Sequence, residues 1–331
     1  MEYLLGFDIG GTKTEVSLFQ LNSGDGQFNL AYQDRTTDIK LNYSKRMPTN
    51  RKNGYEAYLE NIVALTKSTL EENNLSIDSI DGIGLGLPGS VHPQTKKMLN
   101  GNTRMLIGKD FISDFTKALN FKKKVSANND ASCFALAEAL CGAGLKYQEE
   151  TGVLVSSQQS IGIILGTGCG GGLINAGKII EGGKGGGGEI GHFPLVTNGH
   201  SCYCGLHGCA EQYLAGPAIE SSMKIRQSQA DQKRLLSSEE IFSLASTGDS
   251  VALGVIGDYK ERLAEFLISL NNIFDPHYFV LGGGVSKQSL IYENLESELS
   301  RKMFVTGRTP NIYQHQLSDS AGSLGAAIMT L

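Results

Sequence analysis

Apolar positions crowd into short runs at the head of each half of the chain. Residues 3–9 and 14–19 predict two strands flanking Gly10-Gly11-Thr12. Residues 161–165 and 172–175 predict the same pair flanking Gly166-Thr167-Gly168-Cys169-Gly170-Gly171. Each half thus opens as strand, glycine turn, strand, which reads as an internal duplication of architecture. Between them, Leu59, Ile62, Val63 and Leu70 fall at helical spacing within residues 55–70. An apolar stretch after Asn128-Asn129-Asp130 predicts a helix over 131–140. Further on, Ser237 with Glu240 forms a capping-box pattern for a helix over 238–246. From Asp249 to Phe274 the series Ile256, Tyr259, Leu263, Phe266, Leu267, Leu270, Ile273 keeps one face apolar, and Asp275-Pro276 ends it. Tyr278–Leu281 predicts a buried strand. Gly282-Gly283-Gly284 and a helix to about residue 302 follow, with a last helix from about Ala321. The glycine-dense stretch 182–188 predicts a loop inside a domain.

Composition narrows the function classes. A length of 331 residues suggests two domains or two lobes. A net charge of −5 argues against nucleic acid as the main ligand, which needs a basic surface. The basic run Lys122-Lys123-Lys124 reads as a solvated approach to a strand. No apolar run reaches the ~18–20 residues of a membrane span, and the first residues lack a basic, then apolar, signal pattern. A cytoplasmic chain with no membrane partner is expected. In a reducing compartment, clustered cysteines point to metal rather than disulfides.

Three glycine turns carry candidate chemistry. Asp8-Ile9-Gly10-Gly11-Thr12-Lys13 offers backbone N–H donors and a hydroxyl to phosphate, and Asp8 a carboxylate to hydrated Mg²⁺. An ordinary Gly-Gly hairpin is the structural alternative. Gly166-x-Gly168-x-x-Gly171 matches the dinucleotide fingerprint, but the residues after it predict a strand where that fingerprint needs a helix. A phosphate-holding hairpin fits better. Gly282-Gly283-Gly284, between strand and helix, suits an adenosine seat or a tight turn. Asn129 and Asp130 are favoured helix caps. Asp130 is equally a candidate general base, kept ionised by the helix dipole, with Asn129 bonding a second hydroxyl. Cys202, Cys204 and Cys209, separated by glycines, suit a tetrahedral Zn²⁺ with a fourth ligand from His192, His200 or His207, or else form a buried or redox cluster.

Together, Asp8–Lys13, Gly86-Leu87-Pro88-Gly89-Ser90, Asn129-Asp130-Ala131, Gly166-Thr167-Gly168, Glu189-Ile190-Gly191-His192, the cysteine run 202–211 and Leu281–Gly284 resemble the ROK family of bacterial sugar kinases and repressors. The resemblance covers essentially the whole chain. It implies an α/β, actin-like, duplicated ribonuclease-H fold: two lobes with an interlobe cleft. The smaller lobe would be 1–127, with the C-terminal helix 318–331 packed back on it. The larger would be 128–317, with the zinc loop. It implies ATP and Mg²⁺ at Asp8, Gly10, Gly11, Thr12, Lys13, Gly166, Thr167, Gly168 and Gly282–Gly284. It implies Asp130 as base and hexose contacts from Asn102, Asn129, Glu189, His192 and Glu211. A structural Zn²⁺ would sit on His192, Cys202, Cys204 and Cys209, one imidazole nitrogen on the metal and the other facing a sugar hydroxyl.

Within the family, residues 12–16, 88–90 and 100–103 look most like fructokinases that also accept mannose or glucose, while Cys133-Phe134-Ala135-Leu136 looks like N-acetylglucosamine kinases. A hexose 6-kinase is expected, with fructose first and N-acetylglucosamine kinase or glucokinase as the alternative. Repressors of the family carry an N-terminal winged helix-turn-helix. A first strand from Tyr3 and an acidic balance disfavour that branch, and Asp8 with Asp130 disfavours a non-catalytic sensor. A homodimer is the expected assembly.

Overall fold

The computed structural model describes residues 2–11, 13–32, 35–49, 53–101, 103–229, 235–317 and 320–331. The chain begins with β1 (Glu2–Ile9), β2 (Lys13–Leu21), β3 (Phe28–Tyr32), β4 (Arg35–Pro48), α1 (Gly54–Glu72) and β5 (Ile80–Leu87). It continues with α2 (Phe111–Leu119), β6 (Lys124–Asn129), α3 (Asp130–Cys141) and α4 (Ala143–Thr151). The second half has β7 (Gln159–Leu165), β8 (Cys169–Asn175), β9 (Lys178–Ile179), α5 (Glu211–Leu214), α6 (Gly216–Gln229), α7 (Ser238–Ser246) and α8 (Ser250–Phe274). It closes with β10 (Tyr278–Gly282), α9 (Leu295–Lys302), β11 (Asn311–Gln314) and α10 (Ala321–Ile328).

One sheet runs β3-β4-β2-β1-β5-β6 and the other β11-β10-β7-β8-β9. Without the edge strand β3, and with the second order reversed, both read third-second-first-fourth-fifth strand of their half. In each, the fourth strand is parallel to the first and the fifth to the fourth. The second and third are antiparallel. This is the duplicated ribonuclease-H arrangement of the actin-like fold, as the family resemblance implied.

The chain divides into two compact units: Met1–Gln158 with Gly172–Gly188 and Gln316–Leu331, and Gln159–Gly171 with Glu189–His315. The division differs from a boundary at 127/128, because α3 and α4 group with the first sheet and α10. Every residue of α3 from Ala131 to Cys141 is buried. In the first unit Phe7, Phe111 and Phe115 form the centre of the core, with Phe7 edge-on to Phe115. Helix α10 lies against β1 and β5 at a very close approach. A Cβ on Gly84 would sit 1.7 Å from the Ala326 carbonyl oxygen, so only glycine fits.

In the second unit the capping box at Ser237 is present: its hydroxyl accepts the Glu240 N–H at 3.3 Å, and Glu240 accepts the Ser237 N–H at 2.9 Å. Asp249 caps α8 by accepting the Ala252 N–H at 2.8 Å, and Asp275 ends it in a left-handed conformation, φ 44°. The single helix expected up to residue 302 is instead two 3₁₀ turns, Val285–Lys287 and Ser289–Ile291, followed by α9. Asn294 adopts φ 61°, a backbone state that a continuing helix cannot contain. No helix among the described residues is long and apolar enough to cross a membrane.

Candidate active site

The first unit brings Asp8 and Asp130 to one edge of its sheet. Asp8 pairs in register with Gly86, and Gly86 with Asn128, so β1, β5 and β6 end side by side. Such carboxyl ends of strands are where α/β sheets bind ligands. The Gly10 N–H closes the first turn on the Lys13 carbonyl at 2.9 Å, and Thr49 braces it by donating to the Gly10 carbonyl at 2.9 Å. Nothing local in the sequence marks Thr49; only the pairing of β2 with β4 brings it there. Lys13 is exposed. Thr12 and Asn102 lie outside the described residues.

Asp8 is largely withdrawn from water, and this desolvation raises its carboxyl pKa to about 6, with the neighbouring Glu15 adding to the rise and Arg46 opposing it. Glu15 sits directly across β2 from Asp8 and pairs with Arg46. A carboxylate held at such cost is ready to be relieved by a cation.

Asn129 is the N-cap of α3 and its Oδ1 accepts the Ala131 N–H at 3.0 Å; Asp130, the first helical residue, accepts the same N–H at 2.8 Å. Below them the buried Cys133 thiol is pushed well up, first by burial and then by the charges of Asp130 and Asp8. Both carboxylates therefore share one neighbourhood.

In the second unit the Gly166 N–H closes the second turn on the Gly168 carbonyl at 3.0 Å. The turn leads into β8, a strand, so the dinucleotide fingerprint is absent here as expected. Glu211 reaches this turn: its Oε2 accepts the Cys169 N–H at 3.0 Å. A Cβ on Gly168 would lie 2.7 Å from that oxygen, so a side chain there would push the carboxylate off the turn. Gly282 of β10 is in register with Ile164 of β7, so the second and third glycine turns are neighbours.

The same unit gathers His192, Cys202, Cys204 and Cys209, whose ligand atoms all lie within 4.8 Å of one another. The Cys204 and Cys209 sulfurs are 3.6 Å apart, and Cys202 Sγ is 3.6 Å from His192 Nδ1. Tetrahedral Zn²⁺ with Zn–S of ~2.3 Å places its sulfurs roughly 3.8 Å apart, so one nitrogen and three sulfurs fit the ion. Burial works against ionisation of Cys204, yet the Leu206 N–H and the neighbouring thiols outweigh it and lower the thiol pKa. The other two candidate histidines are engaged elsewhere. His207 faces the Ser201 hydroxyl at 3.3 Å and His200 stacks on Tyr213. The second nitrogen of His192 does not stand free. Its Nε2 meets the Tyr203 hydroxyl at 3.2 Å, a contact that ligand spacing gave no reason to expect. Glu189 opens the short turn that carries His192, whose N–H donates to the Glu189 carbonyl at 3.1 Å.

The sequence profile of the ROK family matches residues 4–331. The chain belongs to the ROK family. Among curated relatives, an N-acetyl-D-glucosamine kinase of Mannheimia succiniciproducens is 34% identical over 99% of both chains. One of Pasteurella multocida is 33% identical over 98% of both. Among solved structures, the ROK hexokinase from Thermus thermophilus superposes with a TM-score of 0.75 at 26% identity, covering 99% of this chain and 97% of the other. A ROK glucokinase from Streptomyces griseus, solved with glucose and AMPPNP, gives 0.74 at 24% identity over 99% and 98%.

Proposed function

We propose that this ROK chain is an ATP-dependent N-acetylglucosamine kinase, moving the γ-phosphate of ATP to the sugar's 6-hydroxyl. The observation that carries the reading is full-length identity of about a third to several N-acetylglucosamine kinases. The Asp8–Asp130 edge gives it a chemistry. Fructose, the first expectation from residues 12–16, 88–90 and 100–103, gives way to the alternative suggested by Cys133–Leu136.

In this reading Asp130 accepts the proton of the 6-hydroxyl as its oxygen attacks the γ-phosphorus. The bond from that phosphorus to the β,γ-bridging oxygen breaks, and ADP leaves. Asn102, Asn129, Glu189, His192 and Glu211 hold the sugar. The backbone N–H groups of Gly10, Gly11, Gly166 and Gly168, with Thr12, Lys13 and Thr167, hold phosphates, and Gly282–Gly284 seat the adenosine. Asp8 would hold Mg²⁺, which when bound neutralises phosphate charge. His192, Cys202, Cys204 and Cys209 would hold a structural Zn²⁺ that stiffens the loop between Glu189 and Glu211. Glu211, bonded to the second glycine turn, ties sugar to phosphate recognition. A cytoplasmic homodimer completes the proposal.

The test is ADP release with N-acetylglucosamine, glucose, mannose and fructose at fixed ATP. N-acetylglucosamine should show a kcat/KM at least about tenfold above fructose, the discrimination a built polar subsite supplies. A preference for fructose would sink this sugar assignment while leaving the kinase intact.

A further inference from the structure

Glu138 is a fully buried carboxylate, two turns after Asp130 on the same face of α3. Its Oε1 accepts the N–H groups of Gln316 and Leu317 at 3.0 and 2.9 Å. Its Oε2 accepts the N–H of Ala143 at 3.1 Å and shares that of Gln316 at 3.1 Å. The last turn of a helix is an unfavourable place for an anion. Here the first N–H of α4 and two from the incoming segment offset that, as buried charge requires.

Residues 316 and 317 are where the chain re-enters the first unit, and they feed α10. Helix α10 packs along α3, and its Gly322 lies against Asp8: a Cβ there would be 2.9 Å from Asp8 Oδ2. Asp130 therefore rides on α3 and Asp8 rests on α10, and Glu138 clasps the far end of α3 to the lead-in of α10. The outgoing chain is fastened at the same corner, where Gln158 Nε2 donates to the Gly144 carbonyl at 3.0 Å. An amide could not replace this carboxylate. It offers one oxygen to three N–H groups and turns its own NH₂ against the rest.

We infer that Glu138 is a positioning residue for phosphoryl transfer, setting the spacing of Asp130 and Asp8 without touching substrate. The inference rests on the kinase reading above. The experiment measures Glu138→Gln with whichever hexose the wild-type chain phosphorylates best. Misplacing a base by about an ångström costs on the order of 100-fold, so kcat should fall about 10- to 100-fold. The KM for ATP should stay within about threefold, since Gly166–Gly168 and Gly282–Gly284 lie in the other unit and the Gly10 turn is held by its own bonds to Lys13 and Thr49, and metal content should be unchanged. A purely structural role predicts a lower Tm with kcat, read well below that Tm, within about twofold of wild type; that result overturns the inference. Leu267→Ala, buried in α8 of the second unit, is the control for destabilisation alone and should keep its kcat. If Glu138→Gln does not fold, Glu138→Asp retains the charge but shortens the reach. A folded Glu138→Asp with lowered kcat supports the inference, and one with wild-type kcat overturns it. A wild-type chain inert on every hexose overturns the kinase reading and this inference with it.

Discussion

Asn129 and Asp130 compete for the same N–H at the start of α3, and that redundancy separates capping from catalysis. Because Asn129 caps the helix, Asp130→Asn should leave folding and sugar affinity nearly unchanged. The amide cannot take the hydroxyl proton, and kcat should fall by roughly 10²–10⁴-fold, the usual reach of a general base. A variant keeping about half of wild-type kcat would remove Asp130 from the mechanism. Asp8 makes a different prediction. Burial pushes its carboxyl up to about 6 in the folded, metal-free protein, against 3.8 for the free group. A raised carboxyl pKa means the folded state holds its proton more tightly than the unfolded chain. Asp8 therefore adds nothing below about pH 4 and progressively costs stability as pH rises toward 6, by roughly 3 kcal/mol at most above that. Asp8→Asn should accordingly raise the Tm of metal-free protein at pH 8, do little at pH 4, and depress kcat. A Tm gain that is equal at both pH values would refute the buried-charge account. Asp8, beside a glycine turn, and Asp130, at a helix start, stood out in the sequence; Glu15 and Thr49, which set the environment of the first turn, did not. Their roles come from pairing across β1, β2 and β4, and no local pattern encodes that.

The loop from Glu189 to Glu211 behaves as an element although it has little regular structure, because a metal can organise it. Cys204→Ser should lose the zinc, which elemental analysis reads directly, and should raise KM for sugar more than KM for ATP. In the proposed reading the sugar contacts Glu189 and Glu211 bracket the metal ligands and His192 is one of those ligands, whereas the glycine turns keep their own hydrogen bonds. Active protein purified without zinc would end the structural-zinc proposal. The candidate ligand set could be read in part because three cysteines separated by glycines suit one metal ion. Choosing His192 over His200 and His207 needed either the family resemblance or the fold, which engages the other two elsewhere. Elements announced by their own ends were equally plain: the capping box of α7 and the Asp275-Pro276 stop of α8. The hairpin of β3 and β4 was not foreseen although Ile39, Leu41, Tyr43 and Met47 alternate with polar residues along β4, the period-2 pattern of a half-buried strand. The break before α9 was hidden for the opposite reason. Residues 285–302 have acceptable helix composition, and a single left-handed Asn294 decides against one helix.

At the scale of the molecule, the duplication was legible and the partition was not. Repeated strand-turn-strand openings announce two similar sheets, but the chain crosses between units at 158/159, 171/172, 188/189 and 315/316, and of these only 188/189, at the end of the glycine-dense stretch 182–188, is marked by a composition shift. The first unit is therefore unfinished until its last residues return. Helix α10 buries Leu324, Ala326, Ala327 and Ile328 against β1, β5 and α3. Leu324 and Ile328 alone contribute roughly 1.5–3 kcal/mol each, a large part of the ~5–15 kcal/mol that holds a typical domain together. A chain stopped after His315 would also leave Glu138 buried without its Gln316 and Leu317 donors. It should not melt cooperatively, and its near-ultraviolet dichroism should be lost. A point substitution asks the same question more gently. Gly84→Ala places a methyl on the Ala326 carbonyl, backbone against backbone, where neither side can swing away. Overpacking of this kind costs about 1–3 kcal/mol or more, so Tm should fall by on the order of 5 °C, with zinc content and the KM for ATP unchanged. A wild-type Tm in Gly84→Ala would mean that α10 does not lie on the sheet as closely as 1.7 Å implies. The completion of the first unit by the C-terminal helix would then have to be abandoned.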